Sequence, residues 1–337
     1  MKKLNMILKE IELNSINFSD DEFLISYPLK YDNVKEGRDA TYCVCTNEKI
    51  GLINPPLLVG TEQCSVPTVG KFKIVSGFKR VFALRDLDRK TITCFIISNN
   101  YTAIELLQLA IFDNSLTRQF NPIEKSIIIN KLSKYVSKDT IINEYFEHLG
   151  LEPSEKLYTL YEPLINLEDD IKLAIANNEL SERTGANLLG FDKKDRLALF
   201  DFLIQLKPSV SKQNEIIELV FEISKRENIA VNAVIKAGEI DTIFSNQKFS
   251  IPQKLERVRE YLKKRRFPQL TKLEEEFESF KKSIGVSQDM KFYPPAFFEG
   301  NNYEIHLSFS KISQLKKQIT ILHKMIDSEK LKNVIER

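Results

Sequence analysis

The chemistry in this chain starts at one corner. A β-like run, Lys71 to Val75, ends at Ser76-Gly77, and Lys79 and Arg80 follow where a helix should begin. A helix N-terminus presents unpaired N–H groups and a partial positive charge. A glycine there lets a phosphate approach the backbone, and a neighbouring cation can meet its oxygens. Gly77, Lys79 and Arg80 are therefore candidate phosphate ligands. The same residues also suit a plain strand-to-helix corner with solvated cations. Two other stretches share the first third of the chain: Gly51-Leu-Ile-Asn-Pro-Pro-Leu-Leu58, and Asp113-Asn-Ser-Leu-Thr-Arg118 with Asn121-Pro-Ile-Glu124 behind it.

Other chemistries find little support. His148, His306 and His323 are far apart and show no H-E-x-x-H spacing. Cys43, Cys45, Cys64 and Cys94 lack paired C-x2-C spacing and read as free thiols of a reducing compartment. Neither a Walker loop nor a Ser/His/Asp arrangement is visible.

Two regions could meet a polyanion. Pro153 to Glu162 reads as the second helix of a helix-turn-helix, with Lys156 and Thr159 as its polar reach. It has no Arg for guanine and no Asn or Gln for adenine, and Glu155 and Glu162 would repel phosphate. Farther on, Lys254, Arg257 and Arg259 lead to Lys263-Lys264-Arg265-Arg266. This run fits non-specific phosphate contact. It equally fits cations placed at a helix C-terminus before Pro268, or i,i+4 pairs with Glu256 and Glu260.

The elements that would position these residues change character along the chain. Residues 1–100 read as mixed α/β, with β-like runs at Ile7–Leu13, Pro56–Val59, Phe72–Val75 and Thr91–Ile97 and a helix at Val81–Leu87. Turn residues such as Pro67 and Gly70 separate the runs. From Thr102 the apolar period becomes helical: Ile104, Leu107, Ala110 and Ile111. Asn121-Pro122-x-Glu124 is a capping signature, and Ile127, Ile128, Leu132 and Tyr135 should form that helix's buried face. A helix capped by Asp139 should follow, then several short helices to Ala237. Pro252–Lys282 reads as a long helix broken at Pro268. Two strands, Met290–Tyr293 and Tyr303–Phe309, precede a last helix after Ser310. Its stripe of Ile312, Leu315, Ile319, Leu322 and Met325/Ile326 has near-heptad spacing and could pair with a copy of itself.

A chain of 337 residues is long for one core, so two or three domains are expected. We divide it as 1–118, 119–250 and 251–337. Apolar content of 42% and charged content of 28% fit an ordinary soluble protein, and no apolar run is long enough to span a bilayer. The start, Met-Lys-Lys-Leu-Asn-Met, is too polar for a signal peptide, which points to the cytoplasm. Net charge is only +2, yet residues 251–337 hold 18 Lys+Arg against 12 Asp+Glu while the remainder is net negative. That asymmetry suits a polyanion partner.

The order and spacing of the three early stretches resemble the N-terminal domain of the ParB family of partition proteins. Gly51-Leu-Ile-Asn-Pro-Pro resembles its Gly-hydrophobic-(Gln/Asn)-Pro stretch. Gly77-Phe-Lys-Arg80-Val-Phe-Ala83 resembles its Gly-Glu-Arg-Arg box, and Asp113-Asn114-x-x-x-Arg118 its Glu-Asn-x-x-Arg run. The likeness covers roughly residues 1–190, with a weaker match of pattern at 271–326. It implies an α+β chain: a ParB/sulfiredoxin-like α/β N-terminal domain, an all-α middle domain of helix-turn-helix type, and a small α/β C-terminal dimerisation domain. It also implies CTP bound with Mg²⁺. Gly77, Lys79 and Arg80 would hold the triphosphate, Asp113 would ligate the metal, and Asn114 and Arg118 would contact phosphate.

The chain departs from the pattern. Phe78 stands where the family has Glu, Lys79 replaces an Arg, and Asp113 replaces a longer Glu. A sulfiredoxin-type Cys is absent from Ser76–Arg80, which argues against redox chemistry. The resemblance implies a clamp or partition protein on double-stranded DNA, a homodimer associated with the nucleoid, served by a partner ATPase and at most a slow CTPase. Two alternatives stay open: a nuclease or phosphotransferase on the same fold, with Glu105, Asp113 and Glu124 as its nearby acids, or a regulatory adaptor without nucleotide.

Overall fold

The computed structural model describes residues 5–29, 46–47, 51–52, 54–60, 71–98, 100–285, 289–300, 302–326 and 328. Ile53, Cys43, Cys45, Cys64, Pro67, Gly70 and the first four residues lie outside these. The chain divides into two compact units, Met1–Phe200 and Asp201–Arg337. It is α+β and mostly helical.

The first unit opens with a four-stranded sheet. Strand β1 is Met6–Glu12; β2 (Thr46–Asn47) and β3 (Gly51–Leu52) form a separate small pair; β4 is Leu57–Gly60, β5 Phe72–Ser76 and β6 Thr91–Ile97. The order is β1-β6-β4-β5, with β4 and β6 parallel and the other neighbours antiparallel. Leu58, Ile74, Val75, Ile92, Cys94 and Ile97 are buried, as β-branched and apolar runs on a covered sheet should be. Helix α1, Phe78–Asp86, follows β5 directly, and α2, Ala103–Ser115, packs against β5 through its own buried residues Leu106, Leu107, Ala110 and Ile111. Thr102 and Glu105 form a capping box at its start.

A helical layer completes this unit. Helix α3 is Pro122–Leu132, capped by Asn121 with Glu124 reaching back, as the sequence signature predicts. Its buried face is Ile123, Glu124, Ser126, Ile128, Ile129 and Leu132; Tyr135 lies exposed beyond the helix end. Helix α4, Lys138–Thr140, takes its cap from Ser137 rather than Asp139 and continues as a π-turn, Ile141–Tyr145. Then come α5 (Glu155–Tyr161), α6 (Asp169–Ala176) and α7 (Glu182–Leu188). Gly185 lies on α7 where a Cβ would fall 2.5 Å from Ile175 Cδ1 and 3.2 Å from Leu167 Cδ1, so this close helix approach needs glycine. Helix α8 is Lys193–Leu206.

The second unit continues with α9 (Val210–Glu227), α10 (Val231–Ile235), α11 (Gly238–Ser245) and α12 (Ile251–Arg266). The apolar faces of α9 (Ile216, Val220, Ile223) and α12 (Leu255, Val258, Leu262) are buried, and the two helices pack on each other. Pro268 starts α13 (Pro268–Ile284), so the long helix is interrupted where expected. Strands β7 (Met290–Tyr293) and β8 (Glu304–Leu307) form an antiparallel hairpin, and α14 (Ile312–Ile326) follows. Phe277, Phe280, Met290, Phe292 and Met325 make their common core. Leu322 of the α14 stripe packs against that core and Leu315 is half-buried, whereas Ile312, Ile319 and Ile326 are 73%, 42% and 66% exposed at seven-residue intervals.

Candidate nucleotide-binding corner

Three motifs converge where β5 becomes α1. Gly77 is the N-cap of α1 with φ +90°, a conformation that glycine adopts without steric cost. A Cβ at Gly77 would sit 2.7 Å from Pro56 Cβ and 3.0 Å from Arg80 Nη2, so the corner is also closed sterically to any side chain. The proline of the first stretch is thereby placed beside the glycine of the second. Phe78 is buried in the core, which explains why an acid does not stand there. The first turn of α1 holds no acidic residue but carries two cations, an arrangement that opposes the helix dipole and that a bound anion would relieve.

Arg80 points back over this turn. Its Nη1 donates to the Asn54 carbonyl, and Nη2 lies 3.9 Å from Asp113 Oδ2. Burial holds its pKa below the ordinary value, and the Asp113 carboxylate only partly offsets that. The guanidinium is largely buried, with the Asp113 carboxylate 3.9 Å away. Lys79 is half-buried beside it.

Helix α2 brings its last turn to the same place. Asp113 Oδ2 accepts from Ser76 Oγ at 2.5 Å, and Asn114 Nδ2 donates to Ser76 Oγ at 3.3 Å and to the Ala110 carbonyl at 2.8 Å. Gly77, Arg80, Asp113 and Asn114 are thus assembled, and Ser76, to which the sequence assigns no role, sits among them.

Arg118 has a different surrounding. Its Nε donates to Asn114 Oδ1 at 3.1 Å, Nη1 to Glu124 Oε2 at 2.6 Å and Nη2 to Ser26 Oγ at 3.2 Å, with the guanidinium over the Phe120 ring. Glu124 is only 1% exposed; Oε1 accepts the Tyr27 N–H and Oε2 the Asn121 N–H. Arg118 is a clamp joining α2, α3 and the 26–27 segment. Glu105 is likewise held in a capping box. Of the three acids near the corner, Asp113 alone is left for chemistry.

The donor set suits Mg²⁺ only in company. Among the described residues no group of three or more His, Cys, Asp and Glu is placed to hold a metal. One carboxylate flanked by a hydroxyl and an amide matches the way Mg²⁺ is bound through one or two carboxylates plus substrate phosphates.

The polyanion candidates fall into two kinds. On α5, Lys156 and Thr159 are exposed, although the Thr159 hydroxyl donates to its own helix at Glu155 O. Most of the α12 run is paired with carboxylates; Lys254 instead donates to the Phe244 carbonyl and Arg257 lies over the Phe249 ring. Lys263 and Arg259 reach Glu215, Arg266 Nε donates to Glu222 at 2.5 Å, Arg265 forks onto Glu227, and Lys264 lies 3.2 Å from Glu275. These carboxylates belong mainly to α9, so the run forms a ladder between helices. Burial pushes the Glu215 carboxyl up, but hydrogen bonds from Lys263 and Arg259 outweigh it and hold it below the usual range. Arg265 does the same for Glu227.

A carboxylate with a depressed folded pKa stabilises above its unfolded pKa of about 4.3, and that stability is lost as pH falls through the folded value. The second unit should therefore melt at constant temperature from pH 7 to 5 and lose stability below about pH 4.5. In Glu215→Gln/Glu227→Gln the acid decline should shrink. Thermal melts across pH check this, and equal acid slopes in both proteins would refute it.

No family model and no curated protein matches the chain. Among solved structures it is similar to a C-terminally truncated chromosome-partitioning protein ParB from Caulobacter crescentus complexed to the centromeric parS site, at 16% identity and a TM-score of 0.32, covering 62% of this chain and 98% of that one. The same Caulobacter crescentus protein complexed with CTP-γ-S matches at 17% identity and a TM-score of 0.24, over 58% and 98% of the two chains. A Pnob8-like ParB-N domain matches at 13% identity and a TM-score of 0.33, over 78% and 99%.

Proposed function

We propose that this protein is a ParB-like, DNA-associated protein that binds CTP with Mg²⁺ at the β5–α1 corner. The observation that carries the reading is the convergence of a largely buried Arg80 and the left-handed Gly77 at the start of α1 with Asp113 and Asn114 delivered from α2. A triphosphate would bring negative charge, received by Arg80, Lys79 and the α1 N–H groups. Asp113 and the phosphates would hold Mg²⁺ together, and the metal would neutralise phosphate charge. Arg118 supports Asn114 rather than meeting the ligand itself.

DNA would be met through the exposed Lys156 and Thr159 of α5. The α12 ladder could contact phosphate only by exchanging its carboxylate partners. The outward isoleucines of α14, at heptad spacing, would pair with a second copy in a homodimer. A partition role would bring in a partner ATPase and place the protein on the nucleoid. The domains 1–118, 119–250 and 251–337 would divide these tasks. Since Glu105 and Glu124 are committed to capping and clamping, the chain would be at most a slow CTPase, and a nuclease or phosphotransferase would rest on Asp113 alone.

Calorimetric titration of CTP, ATP and GTP in Mg²⁺ tests the reading. Selective CTP uptake is expected, and heats indistinguishable from dilution for all three would sink it. Mg²⁺ without nucleotide should give no measurable binding, as one carboxylate is too few.

A further inference from the structure

We infer that Ser76 is a positioning residue of the nucleotide corner, setting both members of the Asp113–Asn114 pair through one hydroxyl. The inference rests on the nucleotide reading above and concerns a residue to which the motifs assign no role. Ser76 is the last residue of β5 and only 2% exposed. Its hydroxyl proton goes to Asp113 Oδ2 at 2.5 Å, and its lone pair receives Asn114 Nδ2 at 3.3 Å. A hydroxyl has one proton to give and two lone pairs, so it can serve a carboxylate and an amide at once. An alanine could serve neither.

Asn114 Nδ2 is held by Ser76 and the Ala110 carbonyl, while Oδ1 accepts from Arg118 Nε. The amide cannot flip without breaking all three contacts, so its orientation is set before any ligand arrives. Asp113 is held through Oδ2, and its carboxylate remains half exposed. Its other oxygen has no protein partner described here and can turn to a cation shared with phosphate. Ser76 also adjoins Gly77, so the strand end that shapes the phosphate turn also orients the acid. Groups that orient a metal-binding carboxylate matter for affinity nearly as much as the ligand itself.

The test compares Ser76→Ala, Ser76→Cys and Ser76→Thr with the unaltered full chain. Ser76→Ala removes one oxygen; Asn114 keeps the Ala110 carbonyl and Asp113 keeps water, so melting should change little. CTP affinity in Mg²⁺ should fall about tenfold, at the lower end for lost support of a metal ligand. In EDTA the loss of CTP affinity should be smaller, since only the Asn114 contact is then affected. Ser76→Cys, a poor donor of similar size, should behave as alanine does, and Ser76→Thr should restore most of the affinity.

A nucleotide-free readout accompanies these. The Asn114 side-chain amide proton signals should shift and exchange faster in Ser76→Ala. Unchanged Asn114 signals would overturn the assignment whether or not nucleotide binds. So would equal CTP affinity in Mg²⁺, or an equal loss with and without the metal. An unaltered chain that takes up no nucleotide would overturn the corner's function instead, leaving the Asn114 signals to decide Ser76.

Discussion

Glu124→Ala should destabilise the first unit by about 3 kcal/mol, although Glu124 is too buried to meet any ligand. Its carboxylate accepts from two backbone N–H groups, Tyr27 and Asn121, and from Arg118. Losing the acceptor of the Asn121 N–H, the reciprocal half of the capping box, costs about 1 kcal/mol. Leaving the Tyr27 N–H without its charged acceptor adds about 1.5 kcal/mol or more. The Arg118 pair adds less than a fully buried one would, because that side chain is 31% exposed and water can re-solvate it. Glu124→Gln keeps an oxygen acceptor and should lose roughly half as much. Urea unfolding followed by far-ultraviolet dichroism measures both. A loss under about 1 kcal/mol for the alanine variant would mean the clamp is incidental.

Where the sequence was legible, the deciding interaction was local. Asn121-Pro122-x-Glu124 encodes its own cap, because all the partners lie within one turn. The strand Thr91–Ile97 and the turn at Gly77 were readable for the same reason: alternation and glycine placement act over a few residues. The helix Gly238–Ser245 went unread, since it is short and its only fully buried residue is Ile240. Helix α1 begins at Phe78 rather than Val81, because a glycine N-cap leaves no polar cap to mark the start.

Side-chain roles set by distant partners were not legible. Arg118 looks like a phosphate ligand in its motif. Its real neighbours include Ser26, 92 residues away, and Glu124, which reads locally as a capping residue. The cations of α12 suggested phosphate or i,i+4 pairing. Of the helix's own carboxylates Glu256 does pair, with Arg259 at i,i+3, but the ladder is built from Glu215, Glu222 and Glu227 on α9. Which face of α12 meets which face of α9 is a matter of packing register, and periodicity within one helix carries no information about it.

Arg80→Ala is the complementary case: little loss of stability and nearly complete loss of nucleotide. The guanidinium makes one hydrogen bond, to the Asn54 carbonyl, and stands 3.9 Å from Asp113. Neither contact closes a core, so the melting temperature should move by no more than about 3 °C. Binding is another matter. Truncating one partner of a desolvated charge pair costs about 2–5 kcal/mol, so CTP affinity in Mg²⁺ should fall about 100-fold or more. Arg80→Lys keeps the charge but loses the fork and should lie between, about tenfold weaker. Arg118→Ala should show the reverse profile, a lower melting temperature with a smaller change in affinity, since it acts through Asn114. The pair separates binding from support in one experiment. If Arg80→Ala bound CTP as tightly as the unaltered chain, the charge at the start of α1 would be balanced by its own surroundings and the corner would be architecture.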